Sequence, residues 1–213
     1  MIDNLHLATS CLIGRPDDEV LRDLLALSPD GLQLCPGFEA GVDGVSTRTH
    51  HGYTPGEWRS KVWQGGALAW SGDSMHPPRR HEAPDFMESI SSLDVCLETM
   101  YHDYWLGCGE EIEVAMSFGI KLAVDISHLW IQVCSGVISR STLRRLMDYP
   151  NIMEVHISAN NGRNDSHRPC TGNEMLLEWG LSQGAPVVLE CNMHKMSTQQ
   201  RVDQVEMLRT RVG

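Results

Sequence analysis

Metal-binding residue types follow apolar runs at four places in the second half of the sequence. The clearest is the run Leu-Ala-Val-Asp that ends at Asp125 and is followed three residues later by His128. Glu98, His156 and Glu190 also end apolar runs. Carboxylates and neutral imidazoles bind divalent metals, and both are costly to bury without a partner. One such residue could simply cap a turn, but four in successive units predict a shared metal site.

The elements that must position these residues follow from hydrophobic periodicity and from capping signals. The pattern predicts eight strands, over residues 5–9, 32–35, 47–51, 70–74, 94–98, 122–125, 153–157 and 186–190. It predicts helices over residues 16–27, 85–91, 110–118, 141–147, 173–181 and 198–211. Most strands of the second half are followed by a helix, whereas the connection after the second strand is too short and too rich in glycine for one.

Repeated strand–helix units predict a parallel sheet with right-handed crossovers. Eight units predict an α/β fold, a compact (β/α)₈ TIM barrel over residues 1–213 as one domain, with some early helices shortened or missing. An open doubly wound sheet is the alternative, but no Gly-x-Gly-x-x-Gly follows the first strand. In a barrel the four strand-end residues would meet at the C-terminal face, where such enzymes carry their active sites.

Composition narrows the classes of function. The chain has 213 residues, 41% hydrophobic and 21% charged, which is typical of a globular protein. Its net charge of −11 disfavours nucleic acid as a partner, because phosphate binding needs clustered Lys and Arg. No apolar run is long enough to span a membrane, and no signal peptide is recognisable. Seven scattered cysteines without a Cys-x-x-Cys pair indicate reduced thiols and a cytoplasmic location.

Further histidines and acidic residues occur where additional ligands could come from. Asp165 and His167 lie in the loop after the His156 strand, His76 follows the fourth strand, and His50 and His51 end the third. Each one alone could be an ordinary loop residue. Together they supply the imidazoles that a second or third metal ion would need.

These motifs resemble the xylose isomerase-like TIM-barrel superfamily, which includes sugar isomerases and epimerases and the endonuclease IV family. The resemblance spans roughly residues 46–192 and is carried by Cys-Leu-Glu98-Thr-Met, Asp125-x-x-His128, His156, Asp165-x-His167 and Val-Leu-Glu190-Cys. It implies a divalent metal centre of one to three ions (Mn, Fe or Zn). In a trinuclear site of the endonuclease IV type, the resemblance implies that Glu98 bridges two ions, the first of them also held by His51 and His76. Asp125, His156 and Glu190 would complete the second ion, and His128, Asp165 and His167 would hold the third.

The sugar epimerase branch implies a simpler site. Its single metal would be surrounded only by Glu98, Asp125, His156 and Glu190. The two glutamates would also move the substrate proton. Residues such as His128 and Arg163 would then hold substrate hydroxyls. His102, on the loop after the Glu98 strand, is a further candidate for substrate contact.

Three reactions and one non-enzymatic role therefore compete. Isomerisation or epimerisation of a small sugar-like substrate by Glu98 and Glu190 is the first prediction. A multinuclear iron enzyme that oxidises a small metabolite, or a peptide with the help of a partner protein, is the second. Phosphodiester hydrolysis is disfavoured by the acidic charge. A non-catalytic metal-binding module is the last, because carboxylate-rich sites at barrel strand ends are usually catalytic.

Overall fold

Eight parallel strands form a closed barrel in which each strand pairs with its neighbours in chain order and the last pairs with the first. The computed structural model describes residues 4–35, 38, 42, 44–51, 74–92 and 94–211. The strands are β1 (Leu5–Ala8), β2 (Gly31–Leu34), β3 (Ser46–His51), β4 (Ser74–Met75), β5 (Cys96–Glu98), β6 (Lys121–Asp125), β7 (Ile152–Ile157) and β8 (Val187–Leu189). The predicted (β/α)₈ barrel is confirmed.

The helices cover the second half of the barrel more fully than the first. The α-helices of the described residues are α1 (Asp17–Leu25), α2 (Phe86–Ser89), α3 (Gly109–Ser117), α4 (Ile126–Ser135), α5 (Arg140–Met147), α6 (Leu177–Ser182) and α7 (Thr198–Thr210). Short 3₁₀ helices cover Thr9–Leu12, Ile90–Ser92 and Met193–Lys195. None of these helices is long and apolar enough to cross a membrane.

The early part of the chain departs most from the prediction. The fourth strand, predicted over 70–74, is described only from Ser74 and continues to Met75. The connection over 52–73 and the rest of that predicted strand lie outside the described residues. β3 is unusual for a barrel strand because it is polar throughout, with the sequence Ser-Thr-Arg-Thr-His-His.

Helix α4 begins directly at the end of β6, and the sequence analysis did not predict it. Asp125 is its N-cap, and the side chain accepts hydrogen bonds from the backbone N–H of Ser127 (2.6 Å) and His128 (3.0 Å). The helix ends at Gly136, whose positive φ of 73° suits glycine. Most of its first seven residues are buried, so it lacks the polar face that helix periodicity usually reveals.

Helix α6 begins four residues later than predicted. The carboxylate of Glu174 accepts hydrogen bonds from the backbone N–H of Thr171 and Gly172, at 2.7 and 2.9 Å. These bonds hold residues 171–174 in a turn, because they satisfy backbone donors outside a helix. The helix therefore forms only from Leu177.

Candidate metal centre

The four strand-end residues singled out in the sequence meet at one point. Glu98 and Asp125 are the last residues of β5 and β6, His156 lies in β7 opposite Asp125, and Glu190 directly follows β8. One ligand atom from each of the four lies within 4.8 Å of the others. The side chains of Glu98, Asp125 and His156 are fully buried, and Glu190 is 9% exposed. Parallel strands of a barrel end on the same face, so the sequence order of these residues becomes a ring of ligands.

A second group surrounds the other oxygen of Glu98. Glu98 Oε2 lies 2.8 Å from His76 Nε2 and 3.3 Å from His50 Nε2. The other ring nitrogen of His50 lies 2.8 Å from the hydroxyl of Ser74. Neither Glu98 Oε2 nor His50 Nε2 has a hydrogen bond to the described residues, although both are buried. Glu98 therefore presents its two oxygens to two different sets of imidazoles.

This second group contains His50, whereas the sequence analysis assigned the third-strand ligand to His51. The structure places the buried His50 ring beside Glu98. The side chain of His51 lies outside the described residues. His76, the other residue predicted for this group, lies beside Glu98.

A third group lies beside the first and joins α4 to the loop after β7. His128 Nδ1 lies 2.9 Å from the carbonyl oxygen of Thr99, and a carbonyl can only accept, so this nitrogen carries the proton. His128 Nε2 lies 3.3 Å from Asp165 Oδ2, and the same oxygen lies 2.7 Å from His167 Nε2. The three residues predicted for a third ion are therefore brought together.

The electrostatics of the site call for a cation. Burial raises the pKa of Asp125 to about 6, and the carboxylate of Glu98 adds to this shift. Burial alone would lower the pKa of His156, but Glu190 and Glu98 raise it well above its ordinary value. Converging carboxylates thus hold protons in place of a positive ion. Buried oxygen and imidazole donors without a thiolate fit Mn²⁺, Fe²⁺ or Zn²⁺.

Two of the residues predicted to contact substrate, His102 and Arg163, do not join these groups. His102 is exposed on the loop after β5, with its ring 6.1 Å from that of Tyr101. Arg163 is exposed on the loop after β7. A cavity of about 380 Å³ borders the same face and is lined by Ser127, Ser158 and Arg168, among others.

Sequence reasoning missed a layer of polar side chains beneath the ligands. Glu154, which is fully buried, lies 2.8 Å from His156 Nε2 through Oε1 and 2.8 Å from Arg48 Nε through Oε2. Gln33 reaches the same carboxylate at 3.4 Å. The available signal was the two-residue period of a strand, which places Glu154 on the same face as His156 and Arg48 on the same face as His50.

Comparisons with known proteins identify the fold. No family model matches the chain, and no curated protein matches its sequence. Among solved structures, an L-ribulose 3-epimerase aligns with a TM-score of 0.56 and 10% identity, over 95% of this chain and 86% of that chain. A xylose isomerase-like TIM barrel/4-hydroxyphenylpyruvate dioxygenase fusion protein aligns with a TM-score of 0.42 and 13% identity, over 96% of this chain and 42% of that chain. A Xanthomonas albilineans dihydropteroate synthase aligns with a TM-score of 0.38 and 11% identity, over 97% of this chain and 93% of that chain. The chain thus shares the (β/α)₈ barrel fold of the L-ribulose 3-epimerase, and this is the fold that the sequence predicted.

Proposed function

We propose that this protein is a divalent-metal-dependent enzyme that acts on a small, oxygen-rich substrate at the C-terminal face of the barrel. One observation carries the proposal: ligand atoms of Glu98, Asp125, His156 and Glu190 lie within 4.8 Å of one another, and all four residues are buried or nearly so. Three carboxylates at this distance repel one another unless a cation lies between them. A catalytic role fits carboxylate-rich ligands at barrel strand ends better than a structural role does.

The reaction proposed first is isomerisation or epimerisation of a sugar or sugar phosphate. The fold is shared with an L-ribulose 3-epimerase over nearly the whole chain. A divalent metal, when bound, polarises oxygens on neighbouring carbons of the substrate. This lowers the pKa of the C–H group that lies between those oxygens. Glu190 is the ligand carboxylate with an exposed edge, so it is placed to take or return a substrate proton. Glu98 would be its partner on the opposite face of the substrate.

A second candidate is a multinuclear enzyme that carries out oxidation. It is favoured by the surroundings of Glu98, because His50 and His76 face one oxygen and His156 faces the other at 3.2 Å. A carboxylate enclosed in this way suits a bridging ligand better than a proton carrier. Coulombic attraction to His76 and His156 outweighs the effect of burial and holds the pKa of Glu98 well below its ordinary value. The acidic net charge of −11 disfavours nucleic acid as the substrate of either candidate.

Metal content separates the candidates and tests the proposal. We expect anaerobically purified protein to contain at least one divalent ion per chain by elemental analysis. One Mn²⁺ favours the isomerase, two or three Fe favour the oxidative enzyme, and two or three Zn would favour hydrolysis instead. Protein that holds no metal, and takes up none on titration with Mn²⁺, Fe²⁺ or Zn²⁺, would contradict the proposal.

The isomerase is tested by exchange of substrate hydrogen. In deuterated water, an enzyme that moves the proton through Glu190 incorporates deuterium at the carbon next to the carbonyl of its ketose. A panel of ketoses and their phosphates followed by NMR would detect this exchange. The variant Glu190→Gln keeps the size of the side chain and should abolish exchange while retaining the circular dichroism of the folded barrel. Full exchange in this variant would rule out Glu190 as the proton carrier.

A further inference from the structure

The barrel interior holds a buried charged pair directly beneath the proposed metal centre. Arg48 of β3 and Glu154 of β7 face each other across the barrel, with Arg48 Nε 2.8 Å from Glu154 Oε2. The Glu154 side chain is fully buried and the Arg48 side chain is 18% exposed. Interiors of such barrels are normally filled by branched apolar side chains. A buried ion pair is also weak as a means of stabilisation, because the cost of desolvation offsets the attraction. Its presence here calls for a reason other than stability.

The other oxygen of Glu154 determines which nitrogen of His156 carries the proton. Glu154 Oε1 lies 2.8 Å from His156 Nε2, and an ionised carboxylate can only accept a hydrogen bond. The amide nitrogen of Gln33 also approaches this ring nitrogen, but at the longer distance of 3.1 Å. The proton therefore lies on Nε2. The other nitrogen, Nδ1, faces the ligand carboxylates, 3.2 Å from Glu98 Oε1 and 3.6 Å from Glu190 Oε1, and it is the nitrogen that would offer its lone pair once a metal replaces its proton.

Arg48 keeps Glu154 ionised and in place. Arg48 Nε lies 2.8 Å from Glu154 Oε2, and the other oxygen faces His156 Nε2 at 2.8 Å and the amide nitrogen of Gln33 at 3.4 Å, so both oxygens accept hydrogen bonds as an ionised carboxylate does. Glu154, His156 and His50 also have ligand atoms within 4.8 Å of one another, so they could in principle hold an ion themselves. The guanidinium of Arg48 argues against this, because it would repel a divalent cation beside Glu154.

We infer that Glu154, held by Arg48, is a positioning residue that fixes His156 as an Nδ1 ligand of the metal centre. This inference rests on the proposed function, since it requires that a metal binds above it. Glu154 is not one of the four residues whose ligand atoms converge at the proposed centre, and it would act through the ring of His156. Carboxylates that orient a ligating histidine typically contribute 10–100-fold to metal affinity.

The test compares two double variants that differ only in the hydrogen-bond acceptor at position 154. Arg48→Met is included in both, so that no unpaired buried cation remains. In Arg48→Met/Glu154→Gln the amide oxygen can still accept the proton of His156 Nε2. In Arg48→Met/Glu154→Met no acceptor remains at this position. Circular dichroism and thermal melting of the metal-free proteins establish that both variants are folded.

The probe is Co²⁺, titrated into metal-free protein in competition with a chelator and followed by the visible absorption of the bound ion. We expect the Met/Met variant to bind Co²⁺ about 10–100-fold more weakly than wild type, with an altered absorption spectrum. The Met/Gln variant should recover most of the affinity and the wild-type spectrum. A purely structural role for the pair would not produce this difference in the spectrum.

Three results would overturn the inference. Wild-type affinity and spectrum in both variants would show that Glu154 does not position the ligand, while the metal centre itself stands. Equal loss in both variants would show that charge or packing matters rather than the acceptor. A wild-type protein that binds no Co²⁺ would remove the metal centre, and this inference with it.

Discussion

The two halves of the barrel contribute to the site in different ways. In the half formed by β5–β8, each strand delivers one ligand residue at its C-terminal end: Glu98, Asp125, His156 and Glu190. In the half formed by β2–β4, the inward residues are Gln33, Arg48 and His50, followed by His76 after β4. The first set forms a compact ring of ligands. The second set encloses that ring from the side and from below.

Glu98 is where the two halves meet. Its Oε1 faces His156 from the second half, and its Oε2 faces His50 and His76 from the first. The strand-end ring alone offers one ion three carboxylates and one imidazole. The β2–β4 half adds two imidazoles beside Glu98 Oε2. The comparison predicts that a further ion beside Glu98 Oε2 would depend on the β2–β4 half, and the following variants test this division.

The largest effect is expected from Glu98→Gln, which removes the carboxylate that both halves share. The protein should lose metal from both groups, because the neutral amide is a much weaker ligand than a carboxylate. Turnover should fall by at least about 10²–10⁴-fold, the usual contribution of a proton-transfer group alone. Elemental analysis and an activity assay on the same preparation measure both effects. Full metal content in Glu98→Gln would show that the two halves do not share this ligand.

A selective effect is expected from His50→Gln, which changes the β2–β4 half alone. The ion beside His50 and His76 should bind more than about 100-fold more weakly. Even the loss of a residue that only orients a ligand costs 10–100-fold in metal affinity, and His50 would be a ligand itself. The ion held by Asp125, His156 and Glu190 should remain. Metal titration by calorimetry resolves the two. The parallel variant His51→Gln tests the original sequence prediction, and loss of the ion in that variant alone would restore His51 as the ligand.

A smaller effect separates the two roles of Asp125 in the other half. Asp125 is both a candidate ligand and the N-cap of α4. Asp125→Asn should weaken metal binding but keep the cap, whereas Asp125→Ala should lose both and cost about 1 kcal/mol more in the free energy of unfolding. Urea denaturation of the metal-free variants measures the difference. Equal stability of the two variants would show that the cap contributes nothing here.

The smallest effect is expected far from the metal centre. Ser197 caps α7 in a reciprocal pair with Gln200, whose side chain accepts from the backbone N–H of Ser197 at 2.8 Å. Ser197→Ala should lower the free energy of unfolding by about 1 kcal/mol and leave metal content unchanged. Denaturation and elemental analysis on one preparation check both. A change in metal content would mean that the site is sensitive to stability in general, and would weaken the two preceding comparisons.

The β5–β8 half was predictable because its strands are buried on both sides. Such strands appear in the sequence as continuous apolar runs, and a carboxylate or histidine at the end of a run is conspicuous. β3 gives no such signal, since its six residues are all polar, so Arg48 was missed and the ligand was assigned to His51 and not to His50. The strand itself was predicted over residues 47–51, and the structure extends it by one residue at its start. Helix α4 was missed because most of its N-terminal half is buried, so the sequence lacks the alternation of apolar and polar faces that indicates a helix.

The sequence by itself determined the parallel barrel and the residue types at the C-terminal ends of its strands, because both follow from local patterns of strands, helices and strand-end residues. Only the tertiary structure decided how those residues share partners. Arg48 and Glu154 lie 106 residues apart in the chain, and closure of the barrel brings them into contact across its interior. The same closure places His50 against Glu98. Contacts between strands that are distant in sequence leave no mark in local periodicity, so the approach of His50 to Glu98 and the pairing of Arg48 with Glu154 appear only when the barrel closes.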